Sequence, residues 1–156
     1  MDKHSEERLA EVHPKLAALV RQLAIQLAVE EIEVRVTAGM RSWDEQQKLY
    51  DQGRKTAGRI VTKCPPGWSW HQYALAVDVA PFIDGQPEWD ETHPAWKRIH
   101  EVARSLGLTL GADFPHFPDY PHLQLTGTFP VNPTAEVRQL FKDGNCQAVW
   151  EQAGLV

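Results

Sequence analysis

Residues 69–80 have the sequence SWHQYALAVDVA, and this stretch guides the interpretation of the rest of the chain. Its second half is apolar except for Asp78, so residues 74–80 are predicted to form a buried strand that holds a carboxylate. An ionised carboxylate there is costly unless it is paired or bound to a metal ion. For Asp78 alone, a structural partner such as an arginine or backbone N–H groups is the favoured explanation. His71, seven positions upstream, is by itself more typical of a satisfied or exposed histidine than of a metal ligand.

A second polar cluster makes metal binding by Asp78 and His71 a stronger hypothesis. Residues 113–124, DFPHFPDYPHLQ, contain two histidines and two aspartates in a segment shaped by prolines. His122 begins an apolar stretch, predicted as a strand over 122–126, and Asp119 precedes it by three positions. Two histidines and one carboxylate form the protein half of a catalytic zinc site that leaves one position for water, and a further carboxylate could act as base. The alternative is a polar loop without metal. The sequence supplies these groups as His71, Asp78, His122 and Asp119.

The elements around these clusters are a mixture of helices and short strands. Apolar residues at helical spacing predict a helix over 14–29, and strict alternation predicts a strand over 32–37. Ser5 is expected to cap an N-terminal helix, and Ser42 and Glu45 form a capping box. Because regular βαβ alternation is absent, the pattern favours an α+β fold over a doubly wound sheet. Further helices are predicted over 43–52, 92–106, from 134 and over 145–153, with a strand over 108–110 and loops over 54–70 and 81–91.

Length and composition exclude several classes of protein. The chain has 156 residues, a length that predicts one domain over 1–156. Its net charge of −5 argues against a nucleic-acid binder. No apolar run approaches the roughly 20 residues of a membrane span. The first eight residues, MDKHSEER, show no secretory signal. The two cysteines, Cys64 and Cys146, are expected to be unrelated thiols, with a disulfide as the alternative if the protein works outside the cytosol.

Several segments in order resemble the zinc D-Ala-D-Ala carboxypeptidases and their endolysin relatives. Residues 69–78 are similar to that family's S-x-H-x-x-G-x-A-x-D motif, and Asp119-x-x-His122 to its [DE]-x-x-H motif. Residues 37–54, TAGMRSWDEQQKLYDQGR, resemble its S-G-Y-R-S…Q…L-Y…G-R segment. Residues 111–114, GADF, resemble its G-G-D-W segment. The resemblance covers roughly residues 10–125 and points, among the VanY-like branches, to the L-alanyl-D-glutamate endopeptidases of phage and prophage lysins.

This resemblance implies a fold and a chemistry. The expected fold is a small antiparallel sheet flanked by helices, of the Hedgehog/DD-peptidase type, with a family core over about 10–125 and a helical extension over 133–156. The implied substrate is the stem peptide of peptidoglycan, and a monomer is expected. Asp119 is implied as the general base on a zinc-activated water, and Arg41 as the cation that stabilises the oxyanion. The implied Zn²⁺ ligands are His71, Asp78 and His122.

Two alternatives accompany this interpretation, and the sequence departs from the family pattern at Met40, Ala74 and Phe114. The alternatives are a D-Ala-D-Ala carboxypeptidase or dipeptidase, and a non-catalytic zinc-containing binding module like Hedgehog. Ala74 occupies the position of the motif glycine, and we expect ordinary strand geometry there. His116 is expected to be a loop or substrate-contact residue, since a fourth protein ligand would close a zinc site. Without a signal peptide, the protein is expected to be made in the cytoplasm and to act on the cell wall or periplasm after release.

Overall fold

The computed structural model describes residues 1–156 and contains five α-helices and five antiparallel strands. The α+β prediction is confirmed. No helix is both long and apolar enough to cross a lipid bilayer. In chain order the elements are α1 (Lys3–Ala10), α2 (Pro14–Val29), β1 (Glu33–Ala38), α3 (Trp43–Asp51), β2 (Ala76–Ile83), β3 (Gln86–Pro87), α4 (Pro94–Ser105), β4 (Thr109–Leu110), β5 (His122–Gln124) and α5 (Ala135–Gln152), with 3₁₀ helices at Trp70–Tyr73 and Gly111–Asp113.

The chain divides into two compact units, and the first contains the whole sheet. This unit comprises Met1–Gly39 and Ala76–Leu125. Its strands lie in the order β1-β2-β5-β4, and β3 pairs with β2. Helix α2 packs on β1 and on α4 through a buried face of leucine and valine side chains. Burial of such a face at helical spacing is what stabilises a 16-residue amphipathic helix.

The second unit is built around aromatic side chains. It comprises Met40–Leu75 and Thr126–Val156, and therefore contains α3, the first 3₁₀ helix and α5. The rings of Trp43 and Phe141 stack with centroids 5.2 Å apart, and Tyr73 lies edge-on to both. The indole N–H of Trp150 donates to the carbonyl of Tyr73 at 2.8 Å. Aromatic packing thus ties the 3₁₀ helix to α5, whose backbone leaves helical geometry at Gly144 and Asn145.

Local signals place most helix ends correctly, and the first helix is an exception. The capping box of Ser42 and Glu45 is present at the start of α3. Helix α1, however, is capped by Asp2 instead of Ser5. Ser5 is buried, donates its hydroxyl hydrogen to Asp2 at 2.6 Å and accepts the N–H of Val36 at 2.8 Å. A tertiary contact with β1 therefore uses the hydroxyl that the sequence assigned to capping.

The prediction for β2 is wrong at both ends. The strand begins at Ala76 instead of residue 74 and continues to Ile83, into the segment predicted as a loop. Asp84 and Gly85 then turn the chain with positive φ angles of 50° and 78°, and β3 pairs back onto β2. A two-residue Asp-Gly turn of this kind joins hairpin strands, because its twist matches theirs. The predicted loop over 81–91 therefore contains a short hairpin.

Ala74 does not have the strand geometry expected of it. Its φ and ψ are 56° and 30°, in the left-handed region. The 3₁₀ helix Trp70–Tyr73 ends here, and the left-handed turn lets the N–H groups of Ala74 and Leu75 donate back to His71 and Trp70 at 3.4 and 3.1 Å. Any side chain with a Cβ is strained in this conformation. The motif glycine that Ala74 replaces would adopt it freely.

Replacing Ala74 with Gly is expected to stabilise the protein by about 0.5–1 kcal/mol. Relief of the left-handed strain, about 1–2 kcal/mol, exceeds the added entropy of an unfolded glycine. Urea unfolding monitored by tryptophan fluorescence measures the change. Ala18→Gly is the matched control, because Ala18 lies exposed inside α2 and its loss should cost about 1 kcal/mol. Equal destabilisation by both substitutions would contradict the strain at Ala74.

Candidate metal centre

Two of the candidate ligands face each other across the sheet. The antiparallel register of β2 and β5 places Asp78 directly opposite His122. Directly paired residues project from the same face of a sheet, so their side chains meet. Nδ1 of His122 lies 3.6 Å from Oδ1 of Asp78, and the two side chains are 7% and 21% exposed. The carboxylate that the sequence placed inside an apolar strand therefore has an imidazole as its neighbour.

The second ring nitrogen of His122 has its own partner. Nε2 lies 2.8 Å from Oε1 of Gln124, two residues further along β5. An amide oxygen only accepts hydrogen bonds, so Nε2 carries the hydrogen in this pairing. In the neutral ring Nδ1 then has a lone pair directed toward the Asp78 carboxylate. Two electron-rich groups at this distance require a cation between them, either a proton or a metal ion.

The electrostatics of His122 agree with this requirement. Burial alone would lower the pKa of the imidazole, because it disfavours the charged ring. The hydrogen bond and charge of Asp78 outweigh burial and raise the pKa of His122, with smaller contributions from Gln124 and Asp119. This face of the sheet thus favours bound positive charge.

His71 is held by the 3₁₀ helix that precedes β2. Ser69 caps this helix: its hydroxyl accepts the N–H of His71 at 3.3 Å, and its own N–H donates to Gln72 at 3.1 Å. His71 is buried. The hydroxyl of Ser69 therefore orients the backbone that carries this histidine. The ligand atoms of His71, Asp78 and His122 all lie within 4.8 Å of one another.

This donor set fits a zinc ion. Two ligand atoms bound to one tetrahedral Zn²⁺ lie about 3.4 Å apart, given bond lengths of about 2.0–2.1 Å. The 3.6 Å between His122 and Asp78 is close to that spacing. Two imidazoles and one carboxylate also match the ligand type of catalytic zinc sites, which keep a position for water. The three residues could therefore hold a divalent metal ion.

Asp119 lies on an exposed turn that leads into β5. Its N–H donates to the carbonyl of Gly111 at 2.9 Å, and its own carbonyl accepts the N–H of His122 at 3.2 Å. A Cβ on Gly111 would lie 2.7 Å from Cβ of His122 and would overlap the carbonyl oxygen of Asp119. Only glycine permits this close approach. Gly111 thereby fixes the turn that carries both Asp119 and His122.

Replacing Gly111 with Ala is expected to displace this turn and to destabilise the fold by about 1–3 kcal/mol, the usual cost of overpacking. Zinc affinity should fall as well, because His122 must move. Zinc titration against a competing chelator, together with urea unfolding, measures both effects. Gly85→Ala is a control for backbone strain alone, because Gly85 has positive φ but no atom within 4 Å of the added Cβ. It should lose stability without losing zinc affinity.

Arg41 is fixed by two contacts within its own unit. Its N–H donates to the carbonyl of His71 at 3.1 Å, and Nη1 donates to Oε1 of Gln46 at 3.1 Å. Gln46 is buried, and its amide donates to the carbonyl of Cys64 at 2.7 Å. The guanidinium of Arg41 is therefore hydrogen-bonded to a buried side-chain amide that is itself held in place. This contact favours one orientation of the cation.

Comparison with known proteins gives the context for this geometry. Residues 1–132 match the family described as phage L-alanyl-D-glutamate peptidase. The chain belongs to this family. It is 37% identical over 124 residues to the peptidoglycan L-alanyl-D-glutamate endopeptidase CwlK of Bacillus subtilis (strain 168), covering 74% of each chain. It is 26% identical over 132 residues to the L-alanyl-D-glutamate peptidase of Escherichia phage T5, covering 81% of this chain and 90% of the relative.

A solved structure shows the same fold. The crystal structure of the Serratia marcescens L-Ala D-Glu endopeptidase ChiX superposes with a TM-score of 0.59 and 24% identity, covering 93% of this chain and 92% of that one. This superposition confirms the expected sheet-and-helix fold. The family match and the identity to CwlK confirm the resemblance drawn from the sequence motifs.

From the sequence, no role was assigned to two polar residues of this protein that contact proposed site residues. Gln124 contacts His122, and Gln46 contacts Arg41. A polar residue at a buried strand position, two residues from a candidate ligand, was a usable signal for Gln124. For Gln46 the signal was weaker, because its burial depends on the loop over 54–70 that covers it. His116 is exposed, in keeping with a loop position.

Proposed function

We propose that the protein is a zinc-dependent peptidoglycan peptidase that hydrolyses the bond between L-Ala and D-Glu in stem peptides. The observation that carries this proposal is the His71–Asp78–His122 group in a chain whose relatives are named L-alanyl-D-glutamate endopeptidases. Such a peptidase needs a Lewis acid, a base and a cation for the developing oxyanion.

His71, Asp78 and His122 are the proposed metal ligands. When bound, Zn²⁺ supplies Lewis-acid chemistry that polarises the scissile carbonyl and makes water a stronger acid. The residues themselves set the electrostatics: the carboxylate of Asp78 provides negative charge, and Gln124 holds the hydrogen of His122 on Nε2. Outer hydrogen bonds of this kind orient a ligand ring and increase its basicity.

Asp119 is the proposed general base and acid. Its carboxylate would accept a proton from the attacking water as the C–O bond forms at the L-Ala carbonyl. It would then deliver that proton to the nitrogen of D-Glu as the C–N bond breaks, so the carboxylate returns to its starting state. The exposed position of Asp119 leaves the carboxylate accessible to substrate, while Gly111 restrains its backbone.

Arg41 is the proposed oxyanion partner. Its guanidinium always carries a charge, and its contact with Gln46 reduces the number of orientations that it samples. A fixed cation at the developing oxyanion contributes about 3 kcal/mol to transition-state stabilisation. Because the substrate is a cell-wall polymer, we place the site of action in the cell wall or periplasm.

Digestion of purified sacculi tests the proposal. Zinc-loaded protein should release fragments with a new N-terminal D-Glu, detected by amine labelling and mass spectrometry. The same sample treated with chelator and then resupplied with Zn²⁺ is the control for metal dependence. Release of free D-Ala from a stem pentapeptide would instead identify a carboxypeptidase. Intact sacculi after digestion with zinc-loaded protein would overturn the proposed cleavage.

A further inference from the structure

A cluster of aromatic side chains lies behind the turn that carries Asp119 and His122. Trp96 and His100, on α4, pack against Tyr120 with ring centroids 6.1 and 5.1 Å away, both edge-on. Trp96 also packs against His100 at 5.9 Å. Trp96 and His100 are buried. None of these three residues is a proposed metal ligand, the proposed base or the proposed oxyanion partner, so their arrangement needs a separate explanation.

His100 makes one polar contact to this turn. Its Nε2 lies 3.0 Å from the carbonyl oxygen of Tyr120. A carbonyl only accepts hydrogen bonds, so Nε2 carries the hydrogen and donates it. The contact therefore determines the tautomer of a neutral His100. It also satisfies a carbonyl in the residue that directly follows Asp119.

The position of this carbonyl gives the contact its importance. The next residue is Pro121, whose carbonyl accepts the N–H of Val79 on β2 at 2.9 Å. On the other side, the N–H of Asp119 is held by Gly111. The peptide between Tyr120 and Pro121 lies inside the turn that the hydrogen bond from the His122 N–H to the Asp119 carbonyl closes. None of these backbone contacts holds the Tyr120 carbonyl, and Pro121 has no N–H with which to hold this peptide. Rotation of this peptide would move Asp119 relative to His122.

We propose that His100 is a positioning residue, which sets the geometry of Asp119 relative to His122 by donating a hydrogen bond to the Tyr120 carbonyl. This inference rests on the proposed function for its effect on turnover, but the geometric part holds for the metal-free protein. Small displacements of reacting groups lower rates strongly, by up to about 100-fold for 1 Å. The expected effect therefore lies in kcat and in metal affinity more than in substrate binding.

Two substitutions separate the hydrogen bond from the packing. His100→Phe retains an aromatic ring against Tyr120 but removes the donor. His100→Gln retains an N–H donor of similar reach. We expect the Phe variant to lose about tenfold or more in kcat with KM within twofold, and about tenfold in zinc affinity measured by chelator competition. The Gln variant should recover both to within about threefold. His4→Phe is the matched control at an exposed histidine and should match the wild type.

Amide hydrogen exchange of the metal-free protein gives a readout that needs no activity. The His122 N–H, which donates to Asp119, should exchange about tenfold faster in the Phe variant and at the wild-type rate in the Gln variant. This result would support positioning by His100 even if sacculi were not cleaved. Wild-type exchange, zinc affinity and kcat in the Phe variant would overturn the proposal. Equal losses in the Phe and Gln variants would also overturn it, because packing alone would then explain them.

Discussion

Replacing Asp119 with Asn is expected to lower kcat by about 10²–10⁴-fold, the usual contribution of a positioned general acid–base. Asn has nearly the same shape but cannot accept a proton from water at neutral pH. The backbone contacts of Asp119 to Gly111 and His122 do not involve its carboxylate, so the turn should remain in place. KM and zinc content should therefore stay near their wild-type values. Steady-state digestion of a defined stem peptide, with metal analysis of the same sample, measures all three.

Asp113→Asn is the matched control for the loss of a carboxylate. Asp113 lies in the preceding 3₁₀ helix and pairs with Arg104 at 2.9 Å, with both side chains more than half exposed. An exposed ion pair of this type contributes at most about 1 kcal/mol. The Asp113→Asn variant should therefore keep kcat within about twofold of the wild-type value. If Asp119→Asn retained comparable activity, another group would have to serve as the base.

The parts of the fold that sequence predicted well are those set by local interactions. Helix α2 has its predicted bounds because Pro14 suits the first turn and the apolar spacing continues to its end. The start of α3 follows from a capping box within four residues. The approximate positions of β1, β4 and β5 follow from alternation and from flanking glycine and proline. Each of these signals lies within a few residues of the element that it specifies.

Features that depend on tertiary contacts were not predictable in this way. Ser5 forms a hydrogen bond to β1, and no local pattern indicates that it would be diverted from a cap. The left-handed geometry of Ala74 follows from a four-residue 3₁₀ helix, which is too short to show periodicity. The opposition of Asp78 and His122 depends on the register between strands far apart in sequence. Sequence could name both residues, but only the register brings their side chains together.

The residues of the candidate site also differ in how far they could be predicted from the sequence. His71, Asp78 and His122 could be nominated because metal chemistry restricts the residue types that serve as ligands. The side chains behind the site were harder to nominate: Gln124 had a usable signal in its buried strand position, whereas Gln46 and His100 are of polar types that are common on any surface. Their contacts to His122, Arg41 and the Tyr120 carbonyl arise only when the chain folds and buries them. A family motif can include such residues, but only the structure shows which residue each of them contacts and therefore why it is there.

Replacing His122 with Ala is expected to remove stoichiometric zinc and, with it, nearly all turnover. The substitution deletes one of three ligands and leaves Asp78 opposite an apolar side chain, so the remaining pair cannot hold the ion at micromolar protein concentration. Mass-spectrometric metal analysis after dialysis should give about one zinc per wild-type chain and close to none in the variant. Asp78→Asn should behave in the same way, since it replaces the anionic ligand with a poor neutral one.

Thermodynamic linkage provides an independent measure of the same loss. A ligand that binds only the folded state at 100 times its Kd stabilises that state by about 2.7 kcal/mol. Added Zn²⁺ should therefore raise the unfolding free energy of the wild type and leave that of His122→Ala unchanged. His116→Ala is the matched control, because His116 is exposed on the proline-rich loop and should retain both the metal and the shift. If zinc still stabilised His122→Ala but no longer stabilised His116→Ala, the metal site would have to lie on the loop and not on the sheet. That result would contradict the proposed mechanism.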